Sequence, residues 1–198
     1  MEPELQRRRG RPRSEQARAA VLAAAGDLML QGGMGACTME AIAVRAGVSK
    51  ATIYRWWPSR GAVALEGLLE QTRESIEIPA DLSTSDALRF QLRALVELLQ
   101  DSSCGPLMRG LIGQAQSDPE IAAALRERWL APRRAVAIET IRAGIARGEV
   151  RPDIDVVVAA DQVFAPIYYR LSFGHDPLDG DFADRLVDQM MAGLSAAA

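Results

Sequence analysis

Residues Thr38–Pro58 read TMEAIAVRAGVSKATIYRWWP, and this segment sets the architecture expected for the 198-residue chain. Thr38 and Ser49 are residues that commonly cap helix N-termini, and each precedes a short run with apolar residues at helical spacing. Gly47 separates the two runs, since glycine readily adopts the left-handed conformation that ends a helix. Pro58 closes the second run, because proline disfavours helical backbone in the residue before it. The pattern predicts two short helices joined by a tight turn.

The small and apolar residues of this segment have the spacing of a helix-turn-helix. That motif needs a small residue where the helices touch, a glycine at the turn and apolar residues at fixed offsets. Ala43, Gly47 and Ile53 meet these requirements together. The other inward positions are filled by Ile42, Ala46, Val48 and Trp56. A single glycine between helices would be a weak signal, whereas this joint match predicts the motif.

The rest of the chain also carries helical patterns. Apolar residues at three- and four-residue steps predict a helix from an N-cap at Ser14 to about Gln31, where the glycines of 32–35 end it. Pro132 and Pro166 lie inside predicted helices and are expected to kink them. The downstream helices are predicted at roughly 60–78, 84–101, 105–116, 118–147, 154–173 and 178–195. No strand-plus-turn pattern is visible, so the expected fold class is all-α.

Charge divides the chain into two unlike parts. The formal net charge is −3, but residues 1–60 hold ten Lys and Arg against five Asp and Glu, a net of +5. The remaining residues hold 13 basic and 21 acidic side chains, a net of −8. Such asymmetry is typical of a nucleic-acid-facing segment joined to a different kind of domain.

Several classes of protein do not fit the composition. No stretch approaches the ~20 apolar residues of a membrane span, and the basic N-terminus is not followed by the apolar core of a secretion signal. Cys37, Cys104 and His175 are too few to form a metal cluster, and no nucleophile–base pair is evident. We therefore expect a cytoplasmic protein with free thiols, no metal and no cofactor, which is not an enzyme.

The segment around Thr38–Pro58 resembles the DNA-binding domain of the TetR/AcrR family of bacterial transcriptional repressors. The resemblance begins near Arg13 and continues through GVSKATIYRWWPSRGAVALEGL, residues 47–68, into the fourth helix. Further on, the chain is similar to the family in helix pattern and length, and ARGEVRPD at 146–153 resembles one C-terminal subgroup. At 55–57, Arg-Trp-Trp replaces the family's commoner His or Tyr followed by Tyr-Phe, which changes the polar group at position 55.

The third helix is expected to enter the major groove of double-stranded operator DNA. Thr52 is suited to a base hydrogen bond or a thymine methyl, Ala51 to apolar contact, and Lys50 to a guanine edge or a phosphate. Thr38 and Ser49 cap helices whose free N–H groups suit phosphate oxygens. The resemblance implies phosphate contacts from Tyr54 and from the basic residue that begins the fourth helix, Arg60. The predicted contacts further include Arg55 and Trp57, with a core position as the alternative for Trp57.

The N-terminal arm, residues 1–13, carries Arg9-Gly10-Arg11-Pro12. Two arginines that flank a glycine resemble an AT-hook core, in which Arg9 and Arg11 would enter a narrow A·T minor groove. The alternative is a solvated basic arm that adds only non-specific attraction to phosphates.

A regulator with one helix-turn-helix usually binds DNA as a dimer, with half-sites ~34 Å apart. Apolar residues every fourth position make the helix 178–195 the predicted dimer contact, packed with 154–173 into a four-helix bundle of two chains. An ordinary core helix is the alternative. The predicted interface residues are Phe182, Leu186, Val187, Met190 and Leu194.

The resemblance implies an effector pocket between the DNA-binding and dimerisation regions. Its candidate lining residues are Phe90, Leu95, Met108, Leu111, Trp129, Phe164 and Tyr168. Together the patterns predict an arm at 1–13, a helix-turn-helix domain at 14–60 and an effector-binding and dimerisation domain at 61–198. The expected function is a homodimeric repressor that an unknown small molecule releases from its operator. The alternatives are an effector-independent DNA-binding regulator whose C-terminal part only dimerises, and an enzyme or carrier with an incidental helix-turn-helix.

Overall fold

A computed structural model describes residues 11–71, 78–79, 81–100 and 104–195 of the chain. Within these ranges the regular structure is helical, apart from an isolated antiparallel bridge between Val150 and Ser195. The expected all-α class is therefore confirmed. The chain divides into two compact units after Gln71, later than the boundary that the sequence suggests after Arg60. The boundary moves because the fourth helix packs against the first.

The N-terminal unit contains four helices: α1 Arg11–Ala36, α2 Met39–Ala46, α3 Lys50–Tyr54 and α4 Arg60–Gln71. Helix α1 packs against both α2 and α4, and α2 packs against α3. Their buried side chains form one small core that holds the short α3 in place. The core includes Val21, Ala25, Met29, Ile42, Ile53, Trp57, Val63 and Leu65.

Helix α1 differs from its predicted bounds at its start. It begins at Arg11, so Ser14 lies within the helix and is not its N-cap. Pro12 is compatible with this earlier start, because the first helical turn has no N–H partners to lose. Near the other end, Gly32 and Gly33 leave helical geometry, with φ at Gly33 of 61°. The glycine-rich break that the sequence predicts is confirmed.

The C-terminal unit contains α5 Thr84–Gln100, α6 Cys104–Ala115, α7 Pro119–Ala124, a π-helical turn Leu125–Leu130, α8 Ala131–Ala146, α9 Val156–Phe173 and α10 Gly180–Leu194. Asp side chains start three of these helices. Asp118 accepts hydrogen bonds from Glu120 N at 3.0 Å and Ile121 N at 3.2 Å. Asp155 and Asp179 cap α9 and α10 in the same way. A carboxylate at this position satisfies free N–H groups and the positive end of the helix dipole.

Helix α5 is the centre of the C-terminal unit and contacts α6, α8, α9 and α10. It buries Leu88, Leu92 and Val96 completely on one face. On another face, Arg93 Nε donates to Asp184 Oδ1 of α10 at 2.8 Å, and Arg89 donates to Asp188 Oδ1 at 2.6 Å. Helix α10 therefore packs on α5 as well as on α9.

The helix interruption expected at Pro132 takes the form of the π-helical turn directly before it. Proline removes the N–H that the carbonyl of Arg128 would accept in a regular α-helix, and a wider turn accommodates the change. Helical structure continues on both sides of Pro166 in α9. The wide turn places Trp129 in the core, where it is fully buried.

Candidate nucleic-acid interface and ligand cavities

Local hydrogen bonds build the turn between α2 and α3. Thr38 Oγ1 accepts from Ala41 N at 3.1 Å, and Ser49 Oγ accepts from Thr52 N at 3.1 Å. Gly47 has φ 66° and ψ 33°, a left-handed conformation that favours glycine. Each predicted helix start and the turn between them is therefore present, and α3 is fixed by its own sequence.

Helix α3 exposes several of the side chains that the sequence assigns to the groove. Ser49, Lys50 and Ala51 are exposed at its start, and Thr52 is half-buried. The Thr52 hydroxyl lies 2.9 Å from Ser49 Oγ, so these two groups already share a hydrogen bond. Thr38, at the start of α2, is half-buried.

Lys50 has a partner within the unit. Its Nζ donates to Glu40 Oε1 at 2.6 Å, and both side chains are exposed. This hydrogen bond raises the pKa of Lys50 and lowers the pKa of Glu40. Lys50 is therefore already paired with Glu40 on the surface where the sequence predicts a DNA contact.

The two tryptophans differ in burial. Trp57 is only 3% exposed and donates its Nε1 to Glu66 Oε2 at 2.7 Å. It takes the core position that was the alternative to a DNA contact, because α3 ends at Tyr54 and the following turn directs Trp57 into the core. Trp56, predicted in the core, is half-buried, with the Arg55 guanidinium 5.1 Å from its ring centroid.

Two further predicted contacts are exposed beyond the start of α3. Tyr54 is its last residue and exposes 53% of its surface. Arg60 begins α4, where the dipole and free N–H groups of a helix N-terminus favour an anion. Val44 of α2 is an exposed apolar residue that is not among the predicted contacts. Its position outside the apolar spacing of that helix was the signal for its exposure.

The arm motif falls largely outside the described ranges. Arg9 is among the residues that are not described. Arg11 lies in the first turn of α1, whose helical backbone differs from the arm at 1–13 that the sequence predicts. The minor-groove contact of these two arginines stays a prediction.

Cys37 behaves as a packing residue. It is fully buried, and burial raises the pKa of its thiol to about 11, although the charge of Arg60 acts in the opposite direction. A thiol with so high a pKa holds its proton at neutral pH and is a poor nucleophile. Cys37 and Cys104 are both free.

Two cavities lie in the C-terminal unit, the first between α5, α8 and α9 and the second between α8 and α9. The first has about 20 Å³ of free volume and the second about 220 Å³. Of the predicted ligand residues, Leu95 and Phe164 line the first, and Phe164 and Tyr168 line the second. Tyr168 also accepts a hydrogen bond from Trp129 Nε1 at 2.6 Å.

The other predicted ligand residues do not line these two cavities. Phe90 is 38% exposed, because it lies on the face of α5 opposite the buried leucines. Met108, Leu111 and Trp129 are completely buried among core side chains. Periodicity identifies inward positions, but it does not separate a cavity wall from a filled core.

Sequence reasoning missed two buried polar residues, Gln91 and Arg133, which line the first cavity. Gln91 lies three residues after Leu88 and four before Leu95, and Arg133 lies four residues after Trp129. A polar residue at an inward helical position is the signal that identifies such residues.

The predicted interface residues separate into two groups. Val187 is fully buried, because it packs within its own unit. Val187 is therefore withdrawn from the interface. Leu186, Met190 and Leu194 line a broad groove between α9 and α10, and Phe182 lies under the Arg170 guanidinium at 3.6 Å.

Helix α9 adds apolar residues that the prediction omits. Val158 and Ala165 line the groove, and Tyr169 and Phe173 follow at helical spacing with exposed rings. The signal was present in the sequence, because these residues recur at steps of seven and four residues on a face other than that of Phe164 and Ile167.

No helix in the described ranges is long and apolar enough to cross a membrane. Nor do the His, Cys, Asp and Glu side chains of those ranges form a group of three that would hold a metal ion.

The comparison with protein families gives two matches. Residues 21–66 match the model of bacterial regulatory proteins of the tetR family, and residues 78–190 match the tetracyclin repressor-like C-terminal domain. The second match alone covers more than half of the chain. It also extends across the cavities and the α9–α10 groove.

Individual proteins agree with these matches. The HTH-type transcriptional regulator YdeS of Bacillus subtilis is 35% identical over 97% of this chain and 96% of its own. The DNA-binding transcriptional repressor TetR of Mycobacteroides abscessus is 28% identical over 92% of this chain and 95% of its own. The crystal structure of the TetR family transcription regulator SCO0332 has a TM-score of 0.78 and 38% identity, covering 90% of this chain and 98% of that one. The chain belongs to the TetR family of bacterial transcriptional regulators.

Proposed function

We propose that this TetR family regulator is a homodimeric repressor that reads operator DNA with α3 and is released by a small-molecule effector. The observation that carries the DNA-reading step is the capped helix α3, which exposes Lys50, Ala51 and Tyr54 and is held in position by the buried Ile53. A helix of this motif contacts base edges with its N-terminal residues. Tyr54 and Arg60 then contact phosphates, which position the helix but carry no sequence information.

The dimeric state is supported by the apolar surface of α9 and α10. Tyr169 and Phe173 are 58% and 71% exposed, and Leu186 and Met190 line the adjacent groove. Contiguous apolar surface of this kind marks an interaction site on a protein. A symmetric four-helix contact of two chains covers it and presents two copies of α3 to two half-sites.

Effector binding is supported by the two cavities. The second has about 220 Å³ of free volume, and both have mostly apolar walls with a few polar groups, as small-molecule sites do. An effector that binds the DNA-free conformation more tightly than the DNA-bound conformation shifts the protein towards the free state. The difference between these two affinities sets how strongly it releases the operator. The relative named as a repressor supports repression as the direction of control.

The DNA-reading role is tested with a duplex that the wild-type protein selects from a random-sequence library. Thr52→Ala is expected to lose about 1–3 kcal/mol of discrimination at one base pair. Thr52→Ser retains the hydroxyl that lies beside Ser49 and separates hydrogen bonding from methyl contact. Binding isotherms on the selected duplex and on single-base variants measure the difference. If no duplex is enriched, or Thr52→Ala discriminates as the wild type does, α3 is not the reading helix.

Arg60→Ala separates positioning from reading in the same experiment. It is expected to weaken all duplexes alike and to reduce the slope of log K against log salt concentration by about 1. Arg142→Ala is the matched control, because Arg142 is exposed and paired with Glu139 in the C-terminal unit. Equal effects of the two substitutions would contradict the phosphate contact of Arg60.

A further inference from the structure

Arg133 of α8 is a buried cation without a carboxylate partner in the described ranges. It is 8% exposed, and its guanidinium lies 3.6 Å from the centroid of the Trp129 ring. Nη1 donates to the Trp129 carbonyl at 3.0 Å, whereas the buried Nε has no hydrogen-bond partner. Burial lowers the pKa of Arg133, which reflects the cost of removing its charge from water. The structure thus retains a charged group whose hydrogen bonding is incomplete.

The neighbouring arginine has the opposite arrangement. Arg134 is more exposed than Arg133, and its guanidinium forms an ion pair with Asp161 of α9. The pair holds the pKa of Asp161 below its ordinary value. Removing one partner of a buried ion pair is strongly destabilising, so a buried arginine is normally retained together with an anion. Arg133 lacks the anion that its less buried neighbour possesses.

Arg133 and Phe164 line both cavities of the C-terminal unit. In the first, they are joined by Gln91 and by the apolar side chains Ala94, Leu95, Leu98 and Val136. In the second, they are joined by Leu130, Arg134, Asp161, Ala165 and Tyr168. Gln91 Nε2 already donates to Thr140 Oγ1 at 3.1 Å. Arg133, whose Nε is unsatisfied, therefore belongs to the walls of both cavities, which are mostly apolar.

We propose that the ligand of these cavities is an amphipathic organic anion, with its acidic group on Arg133 and its apolar body against Leu95 and Phe164. This inference rests on the proposed effector function and names the class of effector. The guanidinium is a planar fork that binds a carboxylate or a sulfonate with two parallel hydrogen bonds. Nη1 is engaged by Trp129, which leaves the edge with Nε for the ligand. A neutral apolar ligand fills the space but leaves this nitrogen unsatisfied.

The test uses two fluorescent probes with one ring system. 8-Anilino-1-naphthalenesulfonate is an amphipathic anion, and N-phenyl-1-naphthylamine is its neutral counterpart without the sulfonate. Both are titrated into the full-length chain and into Arg133→Met, which keeps an unbranched apolar side chain over Trp129. We expect Arg133→Met to weaken binding of the anionic probe at least about tenfold, the loss of a charge-assisted hydrogen bond. Binding of the neutral probe is expected to change by less than about twofold, which also verifies that the variant is folded.

Two matched variants complete the test. Arg142→Met removes a positive charge from the exposed surface of α8, where Arg142 pairs with Glu139, and is expected to leave both affinities within about twofold of the wild type. Arg133→Lys keeps the charge without the fork and is expected to bind the anionic probe with intermediate affinity. Anionic probe held on the exposed face of α9 would be unaffected by any substitution at position 133.

The inference is overturned if Arg133→Met binds the anionic probe as the wild type does, if both probes weaken equally, or if neither probe binds the wild type. Failure of the proposed function has a different signature. In that case the anionic probe binds through Arg133 and yet, at saturation, leaves the affinity of the protein for the selected duplex unchanged. That result would support the ligand class but contradict release from DNA by this class of ligand.

Discussion

Lys50 of α3 and Glu40 of α2 form an ion pair on the surface that is proposed to contact DNA. Lys50 Nζ is hydrogen-bonded to Glu40 Oε1 in the free protein. A DNA contact by Lys50 exchanges this partner for a phosphate or a guanine, and it leaves the Glu40 carboxylate near a polyanion. In the proposed complex, Glu40 is expected to oppose binding both by holding Lys50 and by repelling phosphates.

Glu40→Gln is expected to tighten binding to all duplexes by about 2–10-fold at low salt, with the gain shrinking as ionic strength rises. The measurement is a set of binding isotherms at several salt concentrations. Glu120→Gln is the control for net charge, since Glu120 lies in the first turn of α7 in the other unit. Unchanged or weaker binding by Glu40→Gln at low salt would show that the pair helps to orient Lys50 for the contact.

Individual side chains also show where sequence reasoning ends. The caps Thr38, Ser49 and Asp118 were predictable, because each bonds N–H groups two or three residues away. The burial of Trp57 was not predictable, because it depends on Glu66 of α4, whose carboxylate accepts a hydrogen bond from the indole N–H. A buried tryptophan needs such a partner, and helical periodicity does not reveal one.

At the scale of elements, the end of α8 is tied to the start of α5. Glu149 Oε2 accepts from the N–H of buried Thr84 at 2.7 Å, and Arg147 Nε donates to Glu149 Oε1 at 2.6 Å. These hydrogen bonds, first that from Arg147, lower the pKa of Glu149 to about 2. Gly144 permits the close approach, since a Cβ there would lie 2.2 Å from Thr84 Oγ1. The connection after α8 is therefore held by a carboxylate that is ionised in the folded state.

The Glu149 carboxylate is expected to make the folded protein less stable as the pH decreases. Its folded pKa of about 2 lies below the ordinary value of 4.5, so its contribution is complete above about 4.5 and decreases as pH falls towards 2. Glu149→Gln should lower the melting temperature at pH 7 and flatten its dependence on pH between 5 and 3. Thermal unfolding monitored by circular dichroism measures both quantities. Glu139→Gln, on exposed α8 surface, is the control, and equal slopes for Glu149→Gln and the wild type would contradict the assignment.

At the scale of the whole molecule, charge and apolar surface have separate locations. The basic excess lies in residues 1–60 and the acidic excess in the remainder, which disfavours approach of the C-terminal unit to DNA. The exposed apolar residues of α9 lie in that acidic part, where they are available to a second copy of the chain. The dimer proposed from this surface determines how tightly two copies of α3 bind two half-sites, since the second contact becomes intramolecular.

Ala165→Arg is expected to convert the protein from dimer to monomer. Ala165 is exposed and lines the α9–α10 groove, so a long charged side chain blocks close helix approach without altering the core of the unit. Sedimentation should change from twice 21.4 kDa to 21.4 kDa, and affinity for the selected duplex should fall by about 10²-fold or more. Ala143→Arg, on the exposed face of α8, should remain dimeric. A dimeric Ala165→Arg would place the interface elsewhere.

The sequence by itself determined the all-helical class, the helix-turn-helix around Gly47 and the separation of charge along the chain. These properties depend on neighbours within one helical turn or on composition, so the linear pattern contains them. Only the tertiary structure decided which inward residues meet a cavity, which tryptophan is buried and which part of the α9–α10 surface stays open. Those outcomes depend on side chains far apart in the sequence. Arg133 becomes significant only when α5, α8 and α9 bring it to the cavity walls, where no carboxylate of the described residues pairs with it.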